Sequence, residues 1–184
     1  MLSLATLIAA QILALAPDSK VWIEGDSNLH PWSCAATRPE SKMEIDAGSP
    51  EIARSLNLLI EVSGLECGSG KMNEKLREAL RSEKHPYIEY SLIKAQRVPG
   101  EKLELDVKGE LTIAGRTQPV RFTVGVEMAP DGTARARGKV DVLMSSFGVE
   151  PPTALLGVLK TYDKVTVQFE IRAVPFSTAH ASLP

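Results

Sequence analysis

Aromatic residues make up only 5% of the 184-residue chain, so large rings cannot fill much of a folded interior. No sign of charge dominates either, because 21 basic and 23 acidic residues give a formal net charge of -2. Such a balance offers no electrostatic footprint for a nucleic-acid partner. After residue 16 no uncharged apolar run is long enough to span a bilayer, so we expect no transmembrane segment in the mature chain.

The residues that catalysis or metal binding would need are scarce and badly spaced. The stretch CGSGK at 67–71 lacks the first glycine and the final Ser or Thr of a phosphate-binding loop. No G-x-S-x-G nucleophile elbow occurs. His30, His85 and His180 have no metal-ligand spacing, and His30 lies too near its acidic and hydroxyl neighbours for a triad. We therefore predict no enzyme activity, no catalytic residue, no metal and no cofactor.

The first 16 residues, MLSLATLIAAQILALA, carry no charge and end in small residues, a pattern typical of a secretory signal peptide. Cleavage after Ala16 or after Ala14 fits this pattern, and an uncleaved anchor or a disordered end is the alternative. The predicted organisation is a signal peptide at 1–16, one domain at 17–174 and a flexible tail at 175–184. The mature protein is expected to be periplasmic or secreted.

The chain has two cysteines, Cys34 and Cys67. An even number of cysteines in an exported protein favours a disulfide, and we predict that these two are joined. Two buried free thiols are the alternative.

Apolar and charged residues alternate along most of the chain. On either side of a PDG turn, apolar residues stand at every second position of 120–128 and again of 134–144, with Arg, Lys, Glu and Asp in many of the gaps. Similar alternation predicts further strands at 19–27, 30–37, 41–47, 57–64, 87–95, 101–115 and 164–173. About eight strands with one apolar face each favour an antiparallel barrel, since closure removes exposed edges.

Three segments depart from the strand pattern. Residues 72–83 have apolar residues at helical spacing, and Pro86 prevents the helix from continuing. Residues 152–160 are a shorter apolar helix candidate, with Pro152 suited to its first turn. Residues 49–56 are a candidate for a single helical turn. The predicted fold is therefore all-β with one or two short helices.

The inward phase of the strands contains unusually small residues, namely Ala134, Ala136, Gly138 and Gly109. These residues either leave room for an apolar guest or mark a place where the barrel tapers or a helix packs closely. In the first case Gly138→Phe would block the guest and spare the fold, and in the second the new ring would overpack the interior. Trp22 and Trp32 suit a cavity mouth or a packed core, with the core as the default.

If the interior holds a guest, the apolar residues at every second position of the strands line it, and no basic cluster lies among these positions. The predicted lining residues are Leu58, Ile60, Val62, Ile88, Tyr90, Leu105, Val107, Gly109, Leu111, Val120, Phe122, Val124, Ala136, Gly138, Val140, Val142, Phe147, Val167 and Phe169.

Four segments, in order, resemble the YceI-like family: GDSNLHPWSC, GKMNEKLREALRSEKHPYIEYSL, KGELTIAGRTQPVRFTV, and SSFGVEPP followed by KVTVQFEIRA. The resemblance covers residues 21–173. It implies an extended, lipocalin-like antiparallel barrel that is periplasmic or secreted and holds a long isoprenoid or other amphipathic lipid. It also implies no agreed catalytic residues and a homodimer as a weaker expectation. The chain departs from the family at Tyr90, where Phe is usual.

The favoured function is that of a lipid-binding or carrier protein whose guest is an isoprenoid or similar lipid. The alternative is a non-enzymatic module of the same fold with a packed interior, acting in envelope stress or in protein interactions.

Overall fold

The computed structural model describes residues 11–37, 39–45, 51–154 and 157–175. Within them lie twelve strands and the helix α1 (Gly70–Leu80), with 3-10 turns at Val62–Gly64 and Met144–Phe147. The strands are β1 (Gln11–Leu15), β2 (Lys20–Ser27), β3 (Trp32–Ala36), β4 (Glu40–Ile45), β5 (Glu51–Glu61), β6 (Leu65–Glu66), β7 (Tyr87–Val98), β8 (Glu104–Ile113), β9 (Arg116–Met128), β10 (Ala134–Leu143), β11 (Thr153–Ala154) and β12 (Leu159–Pro175).

The strands form a nearly closed antiparallel barrel. Neighbours follow the order β1-β4-β5-β7-β8-β9-β10-β12, and pairing of β1 with β12 joins the two ends. Beyond β12 the sheet continues through β2, β3 and β6. The long β7 to β10 strands are consecutive in the chain and connect by tight turns, such as the Ala114-Gly115 turn between β8 and β9 in which both residues have positive φ. The predicted barrel class is confirmed.

The predicted count of eight strands is too low, because several strands are interrupted. β1 and β2 pair with the same edge of β12 but are separated at residues 16–19, where Pro17 has no N–H to donate. There the Ser19 hydroxyl donates to the Arg172 carbonyl and accepts from the Arg172 N–H, filling the gap in the ladder. Similarly, the 3-10 turn at Val62–Gly64 separates β5 from β6.

Of the three predicted helical segments, only the first forms a helix. In α1 the Ser69 side chain accepts from the Met72 N–H, and the helix ends at Arg81 in the left-handed conformation. The prediction for 49–56 is wrong from residue 51 onward, since β5 pairs with both β4 and β7. The prediction for 152–160 is also wrong for the described residues, because β11 pairs with the start of β12 and Gly157 turns at φ +88°. Strand pairing overrides local helix propensity in both segments, with a distant strand in β5 and in a short hairpin in β11.

The N-terminal strand falls inside the predicted signal peptide. In the full chain β1 pairs with β4 and β12, and Leu13 is 2% exposed in a small cluster with Ala134 and Ala173. Removal of residues 1–16 stays a prediction. Of the predicted tail, residues 176–184 lie outside the described part of the chain.

Charged side chains of the strands lie on the outer face and pair across neighbouring strands. Arg121 makes two hydrogen bonds to Asp106, at 2.7 and 2.8 Å, and the Arg121 side chain holds the pKa of the Asp106 carboxyl below its usual value. Lys164 lies 2.6 Å from Asp141 in the same way. Exposed pairs of this kind contribute little stability, and their role is to keep the outer face in water.

The inward glycines are covered by aromatic rings. A Cβ added at Gly138 would lie 2.5 Å from the Phe169 ring, and one added at Gly109 would lie 2.5 Å from the Tyr90 ring. Phe169 is the direct cross-strand partner of Gly138, and Tyr90 is diagonal to Gly109. The expectation that these glycines leave room for a guest is therefore wrong, because neighbouring side chains already use the space. Gly138→Phe would overpack the barrel rather than spare the fold.

We predict that Gly138→Ala lowers the free energy of unfolding by about 1–3 kcal/mol, because Phe169 must move from its present position. Gly125→Ala is the matched control in the same hairpin, since its Cβ would meet nothing closer than 4.0 Å. Denaturant unfolding of both variants measures the difference. Equal stability of the two variants would contradict the covering role of Phe169, and partial recovery in Gly138→Ala/Phe169→Leu would support it.

Candidate ligand-binding cavity

An apolar cavity of about 340 Å³ lies at one end of the barrel. This volume is within the range of small-molecule sites, roughly 300–1,000 Å³. The barrel supplies one part of its lining: Ile23, Ile88, Ile113, Val142, Val165 and Val167. The helix α1 and the segment after β10 supply the other part: Met72, Leu76, Ala79, Leu80, Met144, Phe147 and Val149.

The helix α1 covers this end because its one-sided apolar stripe has no other surface to pack on. Asn73, only 7% exposed, accepts from the Cys67 N–H at 2.7 Å and donates to the Glu66 carboxylate. At the other end of the helix, Arg81 donates to the Gly148 carbonyl at 2.6 Å. The helix is thus tied to the barrel at both ends, and we call it the lid.

A disulfide joins Cys34 of β3 to Cys67, just before the lid, as predicted. Both cysteines line the cavity, and they are 2% and 8% exposed. The bond closes a loop across a sequence separation of 33 residues. The disulfide therefore links the segment just before the lid covalently to β3 of the barrel.

Four of the predicted lining residues, Ile88, Val142, Phe147 and Val167, line this cavity. The remaining apolar ones belong to the main core cluster elsewhere in the barrel. Those that are buried are Ile60, Val62, Tyr90, Leu105, Val107, Leu111 and Val124. Those that are half-buried are Leu58, Val120, Phe122, Ala136, Val140 and Phe169. Gly109 and Gly138 lie beneath the Tyr90 and Phe169 rings.

The predicted lining lacks the lid residues, Ile23 and Val165, and a cavity mouth was only the alternative for Trp32. The helical stripe of Met72, Leu76 and Ala79 was visible as a pattern, but nothing in the pattern said which surface it covers. Trp32 lines the cavity, and its ring lies over Gly25, so the default assignment of this tryptophan to the core was incomplete. The Trp22 indole instead donates to Glu24 at the surface.

The two sides of the barrel interior differ in how tightly they are packed. Most inward residues of β7 and β8 are buried, with Leu92 and Ile113 half-buried, whereas Val120, Phe122, Val140, Phe169 and Ile171 on β9, β10 and β12 are only half-buried. Val124, Val142 and Val165 on the same three strands are buried. Inward side chains that retain accessible surface indicate incomplete packing along that side. The next layer below the cavity holds an aromatic group, since Phe122 has ring centroids 5.9 Å from Tyr90 and 5.8 Å from Phe169.

The Tyr90 hydroxyl is a buried polar group without a hydrogen-bond partner among the described residues. Tyr90 is 9% exposed, and its burial raises the pKa of the phenol to about 12. The group therefore stays protonated at neutral pH and is able to donate. A buried hydroxyl that is left unpaired costs about 1–3 kcal/mol.

Three ionisable side chains line the cavity, namely His30, Lys71 and Lys75, and none of the lining side chains is acidic. Lys75 pairs with Glu78 at 2.6 Å, which raises the pKa of the lysine. The lining predicted from the strands includes no basic cluster, whereas the lid contributes Lys71 and Lys75 to the lining. Ser27 also lines the cavity, but its hydroxyl donates to the His30 carbonyl at 2.7 Å and not to the imidazole.

Within the described ranges, no group of three or more His, Cys, Asp or Glu side chains could hold a metal ion. In the same part of the chain, no helix is long and apolar enough to cross a membrane.

A nearly closed antiparallel barrel with a helix over an apolar cavity defines a lipocalin-like binding fold. The YceI-like domain profile matches residues 26–173, and the chain belongs to this family. No curated protein matches the chain.

Solved structures share the fold at low sequence identity. Burkholderia cenocepacia BcnA has a TM-score of 0.72 at 20% identity, over 85% of this chain and 96% of that one. A polyisoprenoid binding domain from Saccharophagus degradans, implicated in plant cell wall breakdown, has a TM-score of 0.71 at 12% identity, over 91% of this chain and 100% of that one. The Campylobacter jejuni YCEI protein has a TM-score of 0.65 at 16% identity, over 78% of this chain and 85% of that one.

We predict that Tyr90→Phe raises the free energy of unfolding of the lipid-free protein by about 1 kcal/mol, because it removes an unpaired buried hydroxyl. Tyr87→Phe is the control on the same strand, since Tyr87 is 43% exposed and its hydroxyl is free to meet water. Urea unfolding measures both changes. A loss of stability in Tyr90→Phe would show that the hydroxyl has a partner after all.

We also predict that Cys34→Ala/Cys67→Ala lowers the free energy of unfolding by about 3–4 kcal/mol in the chain-entropy account of a cross-link. Thiol alkylation of the unreduced, denatured parent should detect no free sulfhydryl. Two labelled cysteines in protein from an oxidising compartment would show that the bond does not form.

Proposed function

We propose that this protein is a periplasmic or secreted carrier that holds the chain of an isoprenoid or similar amphipathic lipid inside the barrel. The observation that carries the proposal is the apolar cavity beneath the lid, with the incompletely packed side of the barrel below it. The Saccharophagus degradans domain, which has the same fold, is a polyisoprenoid-binding domain, and this supports the same class of ligand.

The driving force for such a guest is the removal of its methylene groups from water. Each buried methylene contributes about 0.8 kcal/mol, so a chain of modest length offsets the cost of ordering it. The half-buried inward residues of β9, β10 and β12 extend apolar surface from the cavity toward the far end of the barrel. A long chain would reach this surface from the cavity only by displacing the Phe122 and Phe169 rings.

No catalytic step is assigned. The YceI-like family is a binding-type fold, and the cavity lining is dominated by aliphatic side chains. A carrier needs only reversible burial of its guest, and the lining meets that requirement.

Native mass spectrometry of freshly purified protein tests the proposal. We predict an apolar adduct in the parent protein and at least a tenfold lower content in Ala79→Phe, whose ring would occupy the cavity beneath the lid. Glu74→Phe is the matched control, because it places the same residue on the exposed side of α1. Loss of stability in Ala79→Phe without any adduct in the parent would favour the packed interaction module.

The same spectra test export. We expect the mass of a chain that lacks residues 1–14 or 1–16. A chain that retains these residues after isolation from the cell envelope would contradict cleavage of the signal.

A further inference from the structure

Two apolar side chains project into solvent beside the cavity. Leu29, in the loop between β2 and β3, is 66% exposed, and Val158, just before β12, is 71% exposed. Among the described residues, these are the two highest values of any exposed large hydrophobic side chain. Exposed apolar residues that occur together mark an interaction surface more often than scattered ones do.

Hydrogen bonds hold these two loops together. The Asn28 side chain donates to the Val158 carbonyl at 2.9 Å and accepts from the Lys160 N–H at 2.8 Å. The Asn28 N–H donates to the Lys160 carbonyl at 3.0 Å. Leu29 and Val158 therefore lie on one rim of the barrel, and we call this pair the apolar rim.

The loop that carries Leu29 is also fixed from within. The Ser27 hydroxyl, on a residue that is 7% exposed, accepts from the N–H groups of Leu29 and His30 and donates to the His30 carbonyl. The exposure of Leu29 is thus built into an ordered turn. Because the backbone of this turn is already ordered, only the side chain of Leu29 would lose conformational entropy when it becomes buried in a partner.

The apolar rim adjoins the opening of the cavity. The next residues in each loop, His30 and Leu159, line the cavity, as do Lys71 and Lys75 of the lid. Lys160 is exposed beside Val158. Because Lys75 is paired with Glu78, the basic side chains available at the opening are Lys71 and Lys160. Together with the projecting apolar side chains they suit the interface of a bilayer that contains anionic lipid.

We propose that the apolar rim docks the protein on an anionic phospholipid bilayer, with Leu29 and Val158 inserted among the lipids. This inference rests on the proposed function, because a guest with a long apolar chain has a membrane as its reservoir. Docking by the rim places the opening of the cavity against that reservoir. The two side chains are too few for a stable protein interface, which buries at least about 1,200 Å².

The test is flotation with vesicles of phosphatidylethanolamine and phosphatidylglycerol. The parent is expected to float with the vesicles, and Leu29→Ser/Val158→Ser is expected to bind at least tenfold more weakly. Tenfold corresponds to about 1.4 kcal/mol, less than the transfer of two aliphatic side chains out of an apolar environment.

The matched control is Ile93→Ser/Met128→Ser. Ile93 is 63% exposed on β7, and Met128 is 52% exposed at the end of β9 away from the cavity. This variant removes the same number of exposed apolar side chains and is expected to float like the parent. Lys71→Gln is expected to weaken binding to the anionic vesicles while leaving binding to pure phosphatidylcholine unchanged.

Equal loss of flotation in both double variants, or no loss in the rim variant, would overturn the inference. So would a parent dimer in light scattering that the rim substitutions convert to a monomer, because the rim would then be covered by a second copy. If the parent carries no apolar adduct, the proposed function fails, while the flotation comparison still decides whether the rim docks on a bilayer.

Discussion

Pairing of β12 on both of its edges is the interaction on which the rest of the structure depends. β10 pairs with it in unbroken register from Val142–Val165 to Ala136–Ile171 and beyond, and β1 and β2 share its other edge. A sheet with free edges would expose backbone groups and both of its faces to water. In the full chain, where β1 joins β12 to β4, alternate residues divide into an inside and an outside, with Val165 and Val167 facing the cavity and Lys164 facing solvent. The lid, the cavity and the apolar rim all depend on this separation of inward from outward side chains.

Closure alone does not decide how much of the inside is free. The mid-barrel glycines lie beneath aromatic rings, and those rings form the layer immediately below the cavity. Tyr90 follows Ile88 by two residues on β7, and Phe169 follows Val167 by two on β12, so each ring is one inward step from a cavity-lining side chain. A chain with few aromatic residues thus concentrates several of them at one level. The cavity lies above that level, so the rings set its lower limit.

The sequence predicted the barrel well, because period-two alternation is a local signal and charged residues cannot face a closed interior. The helix at 72–83 was also predicted from sequence, since its apolar stripe and Pro86 lie close together in the chain, although the structure starts and ends it earlier, at Gly70–Leu80. The same local reading failed at 51–56, where pairing with the distant β7 decided the conformation, and at 153–154, where a short hairpin with the start of β12 did. It also failed at Gly138. Alternation placed this residue correctly on the inward face, but it could not identify the cross-strand neighbour, Phe169, which is 31 positions away in the sequence. The cavity was predicted only in part for a related reason, because six of its lining residues come from a helix whose docking surface no periodicity specifies.

The arrangement of the lid constrains how a guest would enter. The disulfide to β3 and the Asn73 hydrogen bonds fix its beginning, and Arg81 fixes its end on the Gly148 carbonyl. Lifting the lid would break several of these links at once, and one of them is covalent. Asn28 joins the loops at 28–31 and 157–158 to each other, and among the described residues no such hydrogen bond joins these loops to the lid. Met72 of the lid and Trp32 of β3 both line the cavity, and a path between the lid and these loops would displace their side chains. The apolar rim lies on that side of the cavity. A guest that enters between the lid and these loops would therefore come from the surface that suits a bilayer.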